Sequence, residues 1–284
     1  MRTGSIRALS PRGFHTVRYV EWGEADNPEV LFCVHGLTRN GRDFDRLARA
    51  LAADYRVICP DVVGRGASDW LANKLDYGYP QYLTDLVALI ARSGAEQVDW
   101  LGTSMGGLIG LMLAAQPNHP IRRLVLNDVG PLIPKESLER IAAYVGAPQV
   151  FDTREDFELY ARAIWAPFGL TSDGEWQDLL AHSGRRTGDG RWAFNYDPGI
   201  AEPFRQMAMA DIDLWPLWDR IRCPTLLLRG ETSDVLPRSV AREMTTRGPK
   251  ARLVEFPNCG HAPALMNAEQ IATVRDWLTT AETA

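Results

Sequence analysis

The stretch VDWLGTSMGGLIGLMLA, residues 98–114, decides how the rest of the chain is read. Val98 to Leu101 is a short, mostly apolar run, of the kind a strand buried on both faces presents. From Met105 onward the apolar run is long enough for a helix. Between the two lies Gly102-Thr103-Ser104-Met105-Gly106. A G-x-S-x-G match carries little weight alone. Set between a strand and a helix, it marks a sharp turn that lifts a serine hydroxyl above the sheet. The residues two before and two after that serine crowd each other, and glycine has no Cβ to clash. Gly107, Gly110, Ala114 and Ala115 give the following helix a small-residue side that can lie close against the sheet. The helix start also places partial positive charge where an oxyanion would form. Ser104 is therefore read as a nucleophile.

Working outward, short apolar runs alternate with longer amphipathic segments, the pattern of a mostly parallel sheet with helices on both faces. Predicted strands are Thr16 to Trp22, an alternating run read as an early edge strand, then Val30 to Val34, Val57 to Cys59 and Val98 to Leu101. Leu124 to Leu126, Thr225 to Leu228 and Arg252 to Phe256 follow. Helices are predicted over Asp43 to Ala52, Pro80 to Arg92, Met105 to Ala115, Arg238 to Thr246 and Ala268 to Leu278. The alternation breaks between residues 131 and 213, where helical periodicity appears without a convincing buried strand. Residues 1–130 and 214–284 are thus expected to form an α/β core, and 131–213 a helical cap over the sheet edge where such sheets bind ligands. The cap carries Trp165, Phe168, Trp176, Trp192, Phe194 and Tyr196. Most are expected to fasten cap to core; Trp165 and Phe168 are the candidates for lining a substrate pocket.

A serine nucleophile needs donors for an oxyanion and a base with an acid behind it. His35-Gly36-Leu37-Thr38 directly follows the strand ending at Val34, so the backbone N–H of Leu37 is the candidate donor beside that of Met105. His35 is read as bracing that loop, because it precedes Ser104 in chain order. Of five histidines, only His182 and His261 follow Ser104. His182 lies in the cap, whereas His261 sits in Pro257-Asn258-Cys259-Gly260-His261-Ala262-Pro263, a loop between the last strand and the last helix. His261 is the candidate base. Two aspartates satisfy the order for the acid. Asp234, in the loop leaving the penultimate strand, is favoured. Asp128, in Asn127-Asp128-Val129-Gly130, is the alternative and is otherwise expected to brace the elbow or cap hinge; Glu231 is third.

Composition narrows the partners. A formal net charge of -5 argues against a nucleic-acid backbone or an anionic membrane surface. The expected partner is a small-molecule ester. No run of 18 apolar residues occurs, so no membrane insertion is expected. The N-terminal segment lacks the apolar core of a signal peptide. Cys33, Cys59, Cys223 and Cys259 form no C-x-x-C pair, so zinc and thioredoxin readings fail. Reduced thiols and a cytoplasmic setting are expected. Neither an oligomeric state nor an arginine assigned to a substrate carboxylate can be read from the sequence.

The segments H35-G-L-T, D61-V-V-G-R-G-A-S68, G102-T-S-M-G-G, N127-D-V-G-P, G230-E-T-S-D and N258-C-G-H-A-P run in an order that resembles the α/β-hydrolase superfamily, nearest its bacterial serine carboxylesterases. The resemblance implies an eight-stranded, mostly parallel sheet with a helical cap inserted after the sixth strand. It also implies a Ser-Asp-His triad of Ser104, Asp234 and His261, no metal and no other cofactor. By the same resemblance Arg65 or Asp61 orders loops near the oxyanion site. Serine at the elbow excludes relatives that use aspartate there. The expected reaction is hydrolysis of small esters, lactones or short polyesters through an acyl-enzyme. Carbon–carbon bond hydrolysis or perhydrolysis with the same triad is the enzymatic alternative, and ligand sensing with negligible turnover is the non-enzymatic one.

Overall fold

A computed structural model describes residues 1–146, 149–206 and 209–280. Eight strands form one sheet: β1 (Arg2–Ser10), β2 (Gly13–Trp22), β3 (Val30–Val34), β4 (Arg56–Pro60), β5 (Val98–Thr103), β6 (Ile121–Asn127), β7 (Thr225–Gly230) and β8 (Arg252–Phe256). Their spatial order is β1-β2-β4-β3-β5-β6-β7-β8. From β4 to β8 every pairing is parallel, and β1 and β2 run antiparallel at one side. The expectation that Thr16–Trp22 is the edge is corrected here. β1 pairs along the outer side of β2 and takes that place.

Side-chain alternation divides the core into two layers. Phe32, Trp100, Leu124 and Leu227 face a layer with helices α2 (Tyr79–Ser93) and α3 (Met105–Ala114). Leu31, Cys33, Leu101, Val125 and Leu226 face the other, with α1 (Asp45–Leu51) and the C-terminal helix Ala268–Thr279. All four cysteines are buried free thiols, and among the described residues no helix is long and apolar enough to cross a membrane.

The segment after β6 carries α4 (Lys135–Tyr144), α5 (Arg154–Ile164) and α6 (Asp173–Ala181). It also holds short strands that periodicity missed. Val150–Phe151, Trp192–Phe194 and Gly184–Arg186 make a small antiparallel sheet, and Leu132–Ile133 pairs with Ile212–Asp213 where the segment leaves and rejoins the core. Strands of two or three residues are too short to show a period of two. Phe157 packs edge-on against Phe151 and Phe194, and Tyr160 lies tilted against the same two rings. Trp192, Trp165 and Tyr196 also pack on Phe157 or Phe194, so these aromatics join cap elements to one another rather than fastening the cap to the core as expected.

Candidate active site

The strand–turn–helix at residues 98–114 forms as the sequence predicts. Ser104 sits at its apex with φ 51° and ψ -113°, outside the regions that L-residues favour. Such strain persists only where the surroundings over-determine it. They do so here: a Cβ at Gly102 would lie 2.2 Å from the Gly106 carbonyl carbon, and one at Gly106 would lie 2.0 Å from the Val34 carbonyl oxygen. The Ser104 N–H donates to the Asn127 carbonyl at 3.0 Å, which ties the apex to the end of β6.

His261 reaches this serine from the loop after β8. Its Nε2 lies 3.0 Å from Ser104 Oγ, and its Nδ1 lies 2.7 Å from Asp128 Oδ2. Asp128 is fully buried. Its Oδ1 accepts from the Gly230 N–H at 2.8 Å, and its Oδ2 also accepts from Ser233 Oγ at 2.5 Å. Three donors therefore converge on one carboxylate, which offsets the cost of burying its charge. Those donors assign the proton on His261 to Nδ1 and leave Nε2 free to accept from Ser104. The favoured acid, Asp234, is not in this chain. Its side chain is about half exposed and pairs with Arg140 of α4 at 2.7 Å. The cause is local: Asp128 adopts φ 57°, which turns its carboxylate across the end of β7 toward His261, whereas the β7 loop presents Ser233 inward and Asp234 outward. Glu231, the third candidate, accepts instead from the Asn258 N–H.

The loop after β3 lies beside the apex. A Cβ on Gly36 would come 3.8 Å from the Ser104 Cβ. The Gly36 carbonyl accepts from His35 Nδ1 at 2.7 Å and from the Arg39 N–H at 3.1 Å. Because the peptide is planar and trans, the Leu37 N–H then points the opposite way. His35 Nε2 accepts from the Val62 N–H at 2.9 Å, so both ring nitrogens are spent on backbone and His35 braces the loop. Arg65, fully buried, donates from Nε to the Leu37 carbonyl at 2.8 Å and from Nη1 to the Val63 carbonyl at 2.7 Å. Its guanidinium also lies over the Tyr82 ring. Asp61 accepts from the N–H groups of Gly41 and Ala67, each at 2.8 Å. Both residues of the 61–68 segment thus order loops at the site. The Met105 N–H opens α3, where helix geometry gives it no partner within the helix.

Burial holds His35 neutral and lowers its pKa to about 3, from an ordinary value near 6.5. The folded state therefore binds fewer protons than the unfolded chain between those values, and stability falls as pH drops from about 6.5. Asp61 acts in the opposite sense, because burial raises its pKa to about 6 and the folded chain keeps that proton more tightly. Replacing His35 by Gln isolates the first effect. The stability lost between pH 7 and pH 5, measured by urea unfolding, is expected to be smaller than in wild type by about 2 kcal/mol. An equal loss in both proteins would contradict a neutral, buried His35.

Two cavities meet at Ser104. The larger, about 430 Å³, is lined by Thr38, Arg39, Arg140, Trp165, Phe168 and His261 among others. The smaller, about 180 Å³, is almost wholly apolar and includes Tyr79, Leu108, Val129, Leu138 and Ile200. Leu37, Ser104 and Ile141 border both. Trp165 and Phe168 both stand on the larger cavity's wall, stacked with ring centroids 6.2 Å apart. The turn between them is anchored to the histidine loop, since the Gly260 N–H donates to the Pro167 carbonyl at 2.6 Å. His182, at the end of α6, lies outside both linings. Ser233 and Arg39 escaped the sequence reading, because no motif marks a residue that only the folded loop turns inward; Arg140 escaped it because its place at the cavity depends on how α4 packs over the sheet edge.

The sequence profile of the alpha/beta hydrolase family matches residues 30–274. The chain belongs to the α/β-hydrolase family. It is 46% identical over 286 residues to a 3-hydroxybutyrate-oligomer hydrolase of Cupriavidus necator, covering 98% of each protein. Its structure is similar to that of an α/β hydrolase from Novosphingobium aromaticivorans, with 40% identity, 96% of each chain covered and a TM-score of 0.83. A protein of Rickettsia typhi solved by X-ray crystallography reaches a TM-score of 0.92 at 32% identity, over 98% of this chain and 99% of that one. This α/β hydrolase is accordingly an enzyme of the hydrolase class.

Proposed function

We propose that this hydrolase cleaves carboxylic esters through a Ser104–His261–Asp128 triad, and that its substrates are short linear oligoesters of hydroxy acids. The observation that carries the reading is the unbroken hydrogen-bonded chain from Ser104 Oγ through both nitrogens of His261 to buried Asp128. Ser104 Oγ attacks the ester carbonyl as His261 Nε2 takes its proton. Asp128 holds the imidazole in the accepting tautomer and stabilises the imidazolium that forms. The N–H groups of Leu37 and Met105 receive the tetrahedral oxyanion. The alcohol leaves with the proton from His261. Water, deprotonated by the same nitrogen, then releases the acid from the acyl-serine.

The substrate class rests on the likeness to the oligomer hydrolase over nearly the whole of both chains. Two cavities meeting at the serine also suit an ester with a substituent on each side of the scissile bond. The test is incubation with linear dimers and trimers of 3-hydroxybutyrate, with release of the monomer followed by chromatography. Parallel assays cover short p-nitrophenyl esters, peracid formation and cleavage of a vinylogous diketone. Monomer release and p-nitrophenyl ester turnover are expected. Peracid formation or carbon–carbon cleavage without ester hydrolysis would overturn the proposal.

A further inference from the structure

We infer that Arg39 is an anion contact that selects esters bearing a free carboxylate on the leaving-group side. The inference rests on the ester-hydrolase reading above and names what the larger cavity recognises. Arg39 is almost completely buried, yet it lines that cavity together with Ser104 and His261. Its guanidinium is fixed on one edge. Nε and Nη2 donate to the two oxygens of Asp43 at 2.8 and 2.6 Å, and Nη2 donates also to Ser183 Oγ at 2.8 Å. The Trp165 ring covers its face, 4.0 Å away. A guanidinium has five N–H donors in a rigid fork. Those bonds use Nε and Nη2, and Nη1 donates to none of the described residues.

A buried cation that keeps one donor edge unspent at a cavity wall is placed to receive an acceptor from the ligand. Arg140, the cavity's other guanidinium, is different. It is about half exposed and paired with the half-exposed Asp234 at 2.7 Å, a pair that water screens. In a hydroxy-acid oligoester the free carboxylate belongs to the unit that leaves as the alcohol. The larger cavity therefore takes that unit, with its carboxylate on Arg39 Nη1, and the apolar cavity takes the acyl unit.

The test compares kcat/KM for the linear 3-hydroxybutyrate dimer as free acid and as its methyl ester. Wild type is expected to prefer the acid. Arg39→Met is expected to lower the acid-to-ester ratio about 10- to 100-fold, mostly through KM, as loss of one charge-assisted hydrogen bond requires. Arg140→Gln is expected to change that ratio less than about 3-fold. Arg39→Met leaves Asp43 without its partner, so Asp43→Asn serves as a second probe that keeps the guanidinium and removes its internal carboxylate. This variant is expected to raise the ratio. An unchanged ratio in Arg39→Met, or a loss that follows Arg140→Gln instead, overturns the inference. So does an Asp43→Asn ratio that stays level or falls. Should the dimer resist hydrolysis, the same ratio is read from inhibition of p-nitrophenyl butyrate turnover by 3-hydroxybutyrate against methyl 3-hydroxybutyrate. Absence of all ester turnover defeats the function proposed above; ester turnover without an Arg39-dependent carboxylate preference defeats only this inference.

Discussion

Ser104→Ala is expected to lose ester turnover by about 10⁶-fold in kcat while remaining folded. Removing Oγ takes away the atom proposed to attack, and no other hydroxyl or thiol is hydrogen-bonded to His261 Nε2 among the described residues. What persists is what a donor loop and a binding cavity supply without covalent chemistry. Alanine keeps the Cβ, so the backbone strain at φ 51° and ψ -113° stays as it is. Its melting temperature should therefore lie within a few degrees of wild type. Ser104→Gly separates strain from chemistry. Glycine tolerates positive φ, and relief of strain worth about 1–3 kcal/mol is offset in part by its backbone entropy. That variant is expected to be as inactive as Ser104→Ala and about 1 kcal/mol more stable in urea unfolding. Substantial hydrolysis by either variant would remove Ser104 from the mechanism. Equal stability of the two would mean that the turn carries no strain.

That turn was legible in the sequence because every constraint on it is local. Gly102 and Gly106 must be small for the strand and helix to approach, and the flanking runs announce both elements. His261 was legible for a related reason, since its loop is bounded by a clear strand and a clear helix. Edge strand β1 was not. Arg2–Ser10 turns only Ile6, Ala8 and Ser10 inward, while its other face meets water, so its pattern resembles a polar leader segment. The small cap strands are too short for any period to show. The partner of His261 Nδ1 was legible only as one of two aspartates. Asp128 and Asp234 both follow strands that end on the same sheet edge, and chain order permits either. The choice depends on the left-handed backbone at Asp128 and on which residue of the β7 loop turns inward, and neither is written in residue type. Arg39 is a related case. Its four-residue spacing from Asp43 reads as an ordinary ion pair, and only the packing of Trp165 and Ser183 brings the guanidinium to the cavity wall.

Exchange of the two candidate acids is expected to give opposite results. Asp128→Asn should lower kcat about 10⁴-fold with little change in KM. The variant is nearly isosteric, and its Oδ1 can still accept from the Gly230 N–H. The amide nitrogen would then occupy the position of Oδ2, facing Ser233 Oγ and His261 Nδ1. An amide there donates rather than accepts. It moves the imidazole proton to Nε2, where it faces Ser104 Oγ and blocks acceptance of the serine proton. Asp234→Asn breaks only the ion pair with Arg140 at the cavity rim. With both groups about half exposed, that pair contributes at most about 1 kcal/mol, and kcat should stay within about 3-fold of wild type. Steady-state kinetics on p-nitrophenyl butyrate reads both effects. The rate of Ser104 labelling by a fluorophosphonate reads the same tautomer requirement without deacylation, and should fall with Asp128→Asn alone. A severe loss in Asp234→Asn with an active Asp128→Asn would return the acid to the β7 loop, and would require a rearranged loop that carries Asp234 inward past Ser233.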